Sequence, residues 1–143
     1  MIRPATRADI PDIVDLGVRH LRDSHYAEFV EPDRAHMAAF ARMLIEAPCA
    51  LLLVAEKDGR LIGTIGMMAT PHPYSGQSVL SEMFWYVAPE ARGSGVRLLK
   101  AVEAWGREIG ARHIIMIAPD SRVSSFFQRL GYARLEEQFI KAL

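Results

Sequence analysis

The segment Val87-Ala88-Pro89-Glu90-Ala91-Arg92-Gly93-Ser94-Gly95-Val96-Arg97-Leu98-Leu99 takes the chain from a strand-like run, through a glycine-rich turn, into an apolar helix. That arrangement suits an anion. Gly93 and Gly95 let the backbone approach a ligand closely, and the free amides and positive end of a helix favour phosphate. Arg92 and Arg97 add charge. The competing reading is a solvated strand-to-helix turn whose glycines serve only its backbone angles. Two nucleotide-binding patterns fail on residues. A P-loop needs Gly-Lys followed by Ser or Thr, whereas Val96 and Arg97 follow Gly95. A dinucleotide fingerprint needs a third glycine where Leu98 stands, and an N-terminal βαβ context that is missing here.

The second chemical candidate is Glu82, within Ser81-Glu82-Met83-Phe84-Trp85-Tyr86. Strand alternation places it on the face of Leu80, Phe84 and Tyr86. A carboxylate among such neighbours is expected to hold its proton tightly because ionisation there forfeits hydration, which suits a general base. The alternative is a solvated or ion-paired strand residue. The histidines give no metal pattern: His20 and His25 point to different sides of a helix edge. His72 lies in a proline-flanked loop without cysteine or carboxylate at ligand spacing. No metal site is expected.

These residues need elements to position them. A short strand at Met1–Pro4 precedes a helix to Asp23, with capping oxygens on Thr6 and Asp9 and apolar residues Ile10, Ile13, Val14 and Leu21 at helical spacing. Asp33–Glu46 places Met37, Phe40, Ala41, Leu44 and Ile45 on one stripe and stops before Pro48, a second helix. Ala50–Ala55 and Leu61–Met68 read as strands joined by a Lys57-Asp58-Gly59 turn. Thr70–Ser78 reads as a loop and Val79–Val87 as a further strand. A helix over Val96–Ile109 closes at Gly110, and His113–Ala118 is a short buried strand. A helix through Phe126, Phe127 and Leu130 closes at Gly131, and Tyr132–Leu143 alternates like an edge hairpin. The expected fold class is α/β (α+β), helices on a mixed sheet, in one domain over residues 1–143.

Composition narrows the partners. Seventeen basic residues balance seventeen acidic ones, so no global field favours nucleic acid or an anionic membrane. No apolar run approaches the ~20 residues of a membrane span. The lone Cys49 excludes an internal disulfide, and no signal-peptide pattern precedes the first helix, so a cytoplasmic location is expected.

Arg92, Gly93, Ser94, Gly95, Val96 and Arg97 resemble the acetyl-CoA signature of the GNAT superfamily of N-acetyltransferases, Arg/Gln-x-x-Gly-x-Gly/Ala, with Arg97 departing at the last position. The order of elements is similar too. Phe126-Phe127-Gln128-Arg129-Leu130-Gly131-Tyr132 resembles the family's aromatic-x-x-x-Gly-aromatic helix ending. The resemblance implies a mostly antiparallel sheet whose fourth and fifth strands, here Glu82–Val87 and His113–Ala118, splay apart. Between them the pantetheine arm of acetyl-CoA would pair with the backbone of Trp85, Tyr86 and Val87, while its pyrophosphate sits on the loop. It also implies an acceptor pocket lined from the helix connection, His25, Tyr26 and Glu28, and from the loop carrying Tyr74; each could equally be an ordinary surface residue. Many relatives place a tyrosine where Phe127 stands, as proton donor to the departing thiolate. Phenylalanine has no such proton, so Phe127 is expected to wall the cofactor, with Ser124 or water as donor. The expected function is transfer of acetyl from acetyl-CoA to a primary amine of a small molecule or peptide by direct attack. A homodimer is an admissible assembly. The alternatives are a non-catalytic acyl-CoA sensor, which Phe127 favours, and an interaction module.

Overall fold

The computed structural model describes every residue except Arg92. Five strands, β1 (Ile2–Pro4), β2 (Ala50–Lys57), β3 (Arg60–Pro71), β4 (Ser78–Val87) and β5 (His113–Ile115), form one sheet in sequential order. The first four pair antiparallel; β5 lies parallel to β4. Four helices, α1 (Ile10–Asp23), α2 (Arg34–Glu46), α3 (Ser94–Glu108) and α4 (Ser121–Arg129), cover the two faces.

The interior strand β2 shows why the sheet has two covered faces. Its apolar run divides by alternation. Leu52 and Val54 pack with Ile10, Ile13, Val14 and Leu44 of α1 and α2. Leu53 and Ala55 pack with Leu98, Leu99 and Val102 of α3. A strand buried on both faces reads as a continuous hydrophobic run rather than an alternating one.

Local signals set the boundaries. The Asp33 side chain accepts from His36 N at 2.9 Å and starts α2. Ahead of α1, Asp9 accepts from Thr6 N at 2.7 Å and pairs with Arg3 at 2.8 Å, tying β1 to the helix start. The β2–β3 turn sets Asp58 and Gly59 at φ 52° and 73°, as a tight hairpin requires.

Three expectations change. Strand β3 continues through Thr70 and Pro71, opposite Val79 and Ser78; proline is tolerated at a strand end, where no N–H need be donated. Strand β5 stops at Ile115 rather than Ala118, since its pairing with β4 ends at Ser81. The segment Tyr132–Leu143 forms no hairpin. It contains no Gly, Pro, Asn or Asp after Gly131 to turn the chain, and Glu136-Glu137-Gln138 breaks its alternation.

Candidate active site

Strand β4 pairs with β5 only through Val79, Leu80 and Ser81. From Glu82 to Val87 its strand neighbour among the described residues is β3 alone, which leaves one backbone edge able to pair with a ligand. The divergence begins at a bulge: Gly66 faces Phe84 and Met67 faces Glu82, leaving Met83 as the extra residue. This corrects the expected face of Glu82. Leu80 packs in the α3-side core and Phe84 against the α1/α2 core; the inserted residue reverses the alternation between them. Glu82 faces Met67, an α3-side residue.

The Glu82 carboxylate is half-buried and reaches across the opening. Its Oε2 accepts a hydrogen bond from the backbone N of Ile117, just beyond β5, at 3.0 Å. Burial raises its pKa from 4.5 to about 7, and the Ile117 amide only partly opposes that rise. The group therefore changes charge near neutrality, as a general base for an amine should. Sequence reasoning singled out Glu82 as a candidate but missed the Ile117 amide and the bulge, which have no residue signature.

At the far end of β4, Ala88 N bonds Ile62 O at 2.9 Å and a short 3-10 turn, Pro89–Ala91, leads to α3. Gly93 caps that helix at φ 93°, in the left-handed region. Among the described residues no side chain caps α3, and its first turn holds no acidic residue, so its leading amides suit an anion. Ser94, Gly95 and Val96 are half-buried there and Arg97 is exposed. The tight position is Gly95: a Cβ there would stand 3.1 Å from Trp85 Cζ2. Arg97, where the resemblance departs, is exposed. Arg92 lies outside the described residues.

Between α3 and α4 the Trp85 indole meets Phe126 and Phe127 at ring-centroid distances of 6.4 and 5.8 Å, and Phe127 meets Tyr132 at 5.2 Å. Phe127 is 5% exposed. Ser124 is half-buried one turn earlier on α4. The Tyr132 hydroxyl donates to Glu103 Oε1 at 2.7 Å, and burial with that carboxylate beside it holds its pKa well above the usual phenol. It is thus engaged, and a poor proton donor.

On the other face, Tyr86 is 9% exposed and its hydroxyl is buried without a hydrogen-bond partner among the described residues. The His20 ring lies 5.3 Å away, and burial lowers its pKa. Neither feature was legible from spacing. His25, Tyr26 and Glu28 sit on an exposed 3-10 turn after α1. Tyr74 is 95% exposed on the β3–β4 loop beside His72. Among the described residues no hydrogen bond or ring contact joins Tyr74 to that turn. No helix among them is long and apolar enough to cross a membrane.

Comparison with known proteins follows this geometry. The model of the acetyltransferase (GNAT) family matches residues 17–132. An aminoglycoside N(6′)-acetyltransferase type 1 of Klebsiella aerogenes is 35% identical over 82 residues, 54% of this chain and 53% of its own length. One from Stenotrophomonas maltophilia is 37% identical over 86 residues, 56% of this chain and 54% of its own. The chain thus spans about half the length of these relatives. A predicted acetyltransferase of Clostridium acetobutylicum, solved with acetyl-CoA, superposes with a TM-score of 0.79 at 18% identity, over 99% of this chain and 95% of that one. At that identity the likeness is one of fold.

Proposed function

Since this chain belongs to the acetyltransferase (GNAT) family, we propose that it is an N-acetyltransferase that moves acetyl from acetyl-CoA to a primary amine of a small molecule by direct attack. The observation that carries this reading is the Glu82 carboxylate, titrating near 7 at the mouth of the β4–β5 opening.

The residues present fit acetyl-CoA. The uncapped α3 amides suit its pyrophosphate. The open edge of β4, at Trp85, Tyr86 and Val87, suits the amides of its pantetheine arm. Arg97 stands on the first turn of α3, free to meet a phosphate. When bound, the thioester supplies an acetyl group already activated for transfer. Glu82 then takes the proton an ammonium must lose before its nitrogen can attack. Backbone N–H groups on the unpaired β4 edge would suit the polarisation of an acyl oxygen. Ser124, or water, returns a proton to the departing sulfur, because Phe127 has none and Tyr132 is held by Glu103. A thiol of ordinary pKa near ~8.5 leaves without strong acid assistance, so Phe127 is compatible with turnover.

The acceptor is read from the α1–α2 connection. Residues 23–33 carry Asp23, Glu28, Glu31 and Asp33 and no Lys or Arg, and they expose Tyr26 and Phe29 at 46% and 49%. Acids beside aromatic faces suit a cation. The relatives named for aminoglycosides support a polyamine of that kind. His25, Tyr26 and Glu28, with Tyr74 from the β3–β4 loop, are the proposed acceptor contacts. The test is release of CoA thiol over a panel of aminoglycosides, polyamines and peptide amines. Acetyl-CoA binding with no release on any of them would replace the enzyme by the acyl-CoA sensor that Phe127 also permits.

A further inference from the structure

We propose that the indole N–H of Trp85 is a ligand-binding donor that hydrogen-bonds an oxygen of bound acyl-CoA in the cleft between α3 and α4. The inference rests on acyl-CoA being the ligand, as argued above, and adds a side-chain contact where the strand backbone alone was expected to act.

Three observations carry it. Trp85 Nε1 is buried and has no hydrogen-bond partner among the described residues. An indole nitrogen can only donate, and buried donors are nearly always paired, so an orphan one calls for an absent partner. The ring's position supplies the second. It projects from the stretch of β4 that has lost its β5 neighbour, and it is enclosed by α4 through Phe126 and Phe127. The ring thus stands between the unpaired stretch of β4 and the start of α3, the two places proposed for the ligand. The third is Gly95, on the first turn of α3, where a Cβ would stand 3.1 Å from Trp85 Cζ2. The glycine keeps indole and helix start in contact, so the donor lies beside the free amides proposed for pyrophosphate. Pyrophosphate and pantetheine amides both offer acceptor oxygens, and the indole supplies what they lack.

Reaching the buried nitrogen requires the ring to turn or Phe126, itself half-buried, to draw back. Side-chain rotamer changes of that size are common when a ligand binds. The indole lies against the aromatic side chains Phe126 and Phe127 of α4.

The experiment follows the indole resonances of the intact protein in a proton–nitrogen NMR spectrum. The chain has two tryptophans, so W105F or W85F alone assigns the peaks. Titration with CoA is expected to move the Trp85 indole proton downfield and slow its exchange with water. Binding calorimetry on W85F is expected to show CoA affinity about ten-fold lower, the size of one hydrogen bond. A purely structural tryptophan would instead lower unliganded stability and leave CoA affinity unchanged. Pantetheine is titrated in parallel: a shift with both ligands places the oxygen on the pantetheine arm, and a shift with CoA alone places it on the pyrophosphate. CoA that binds without moving the Trp85 peak, or that binds W85F undiminished, overturns this inference alone. CoA that does not bind at all overturns the acetyltransferase reading with it.

Discussion

Glu82→Gln should make this protein more stable and less active, with the stability gain confined to one side of a pH window. The folded carboxyl titrates at about 7 against an ordinary 4.5, so between those values the folded state holds a proton that the unfolded chain has released. Stability then falls as pH rises through the window. The difference corresponds to about 3 kcal/mol lost above pH 7 and nothing lost well below pH 4.5. Glutamine is nearly isosteric, stays neutral at every pH, and its amide oxygen can still accept from Ile117 N. The variant should therefore match the parent near pH 4 and exceed it by about 3 kcal/mol at pH 8. For a domain of this size that is a rise in Tm of roughly 10 °C. Urea melts of both proteins from pH 4 to pH 8 measure the gap directly.

Turnover should move the other way. Loss of a general base typically lowers it by about 10²–10⁴-fold, and in the parent kcat/KM should climb to a plateau at a pH near the Glu82 value. Opposite signs on the two axes distinguish a desolvated base from an ion-paired strand residue, whose loss would weaken the fold. A Gln variant that is less stable at pH 8, or that keeps turnover within about threefold when chemistry limits the rate, refutes the reasoning.

Three further outcomes follow. Gly95→Val should push the indole from α3 and remove the thermal stabilisation by CoA, expected in the parent at about 2.7 kcal/mol when ligand is at a hundred times Kd; an unchanged shift in a thermal melt would contradict the phosphate site. Tyr86→Phe deletes a buried hydroxyl that makes no well-formed hydrogen bond among the described residues, although the Arg19 guanidinium lies close enough to act on it, so chemical denaturation should show stability changed by no more than about 1 kcal/mol in either direction, and a larger loss would reveal a true bond from Arg19. Phe127→Leu, if folded and CoA-binding, should keep turnover within about a hundredfold in steady-state assays, since the ring is a wall and not an acid.

Much of this molecule is legible because its signals are local. Asp33 caps α2, Asp58-Gly59 turns a hairpin, and the apolar run of β2 announces a strand covered on both faces; each depends on residues within a few positions of one another. The tail failed for the complementary reason. Alternation over Ala133–Leu143 is compatible with a strand, but a strand exists only when a neighbour accepts its hydrogen bonds, and no local rule reports that neighbour. The tail instead leaves Leu135 and Phe139 at 72% and 91% exposure.

The site lies on the same boundary. Its loop was readable, since glycines at a helix start have a physical meaning of their own, and Glu82 was readable as a carboxylate in apolar company. The bulge at Met83 was not, because one inserted residue changes the facing of everything beyond it without changing composition. That insertion has a chemical consequence. Counting by twos from Leu80 puts Glu82, Phe84 and Tyr86 on one face, yet in the fold Phe84 and Tyr86 turn toward α1 and α2 while Trp85 turns toward α3. Had the strand stayed regular, the indole could not lie against both Gly95 and Phe127 with Glu82 on that same side. The open β4 edge, the unpaired indole and the carboxyl that titrates near 7 each break a rule that ordinary folding obeys, and all three occur within four residues of one bulge. A packing accident would relax one of them; the proposed ligand would satisfy the edge and the indole together, and would give the carboxyl a proton to move.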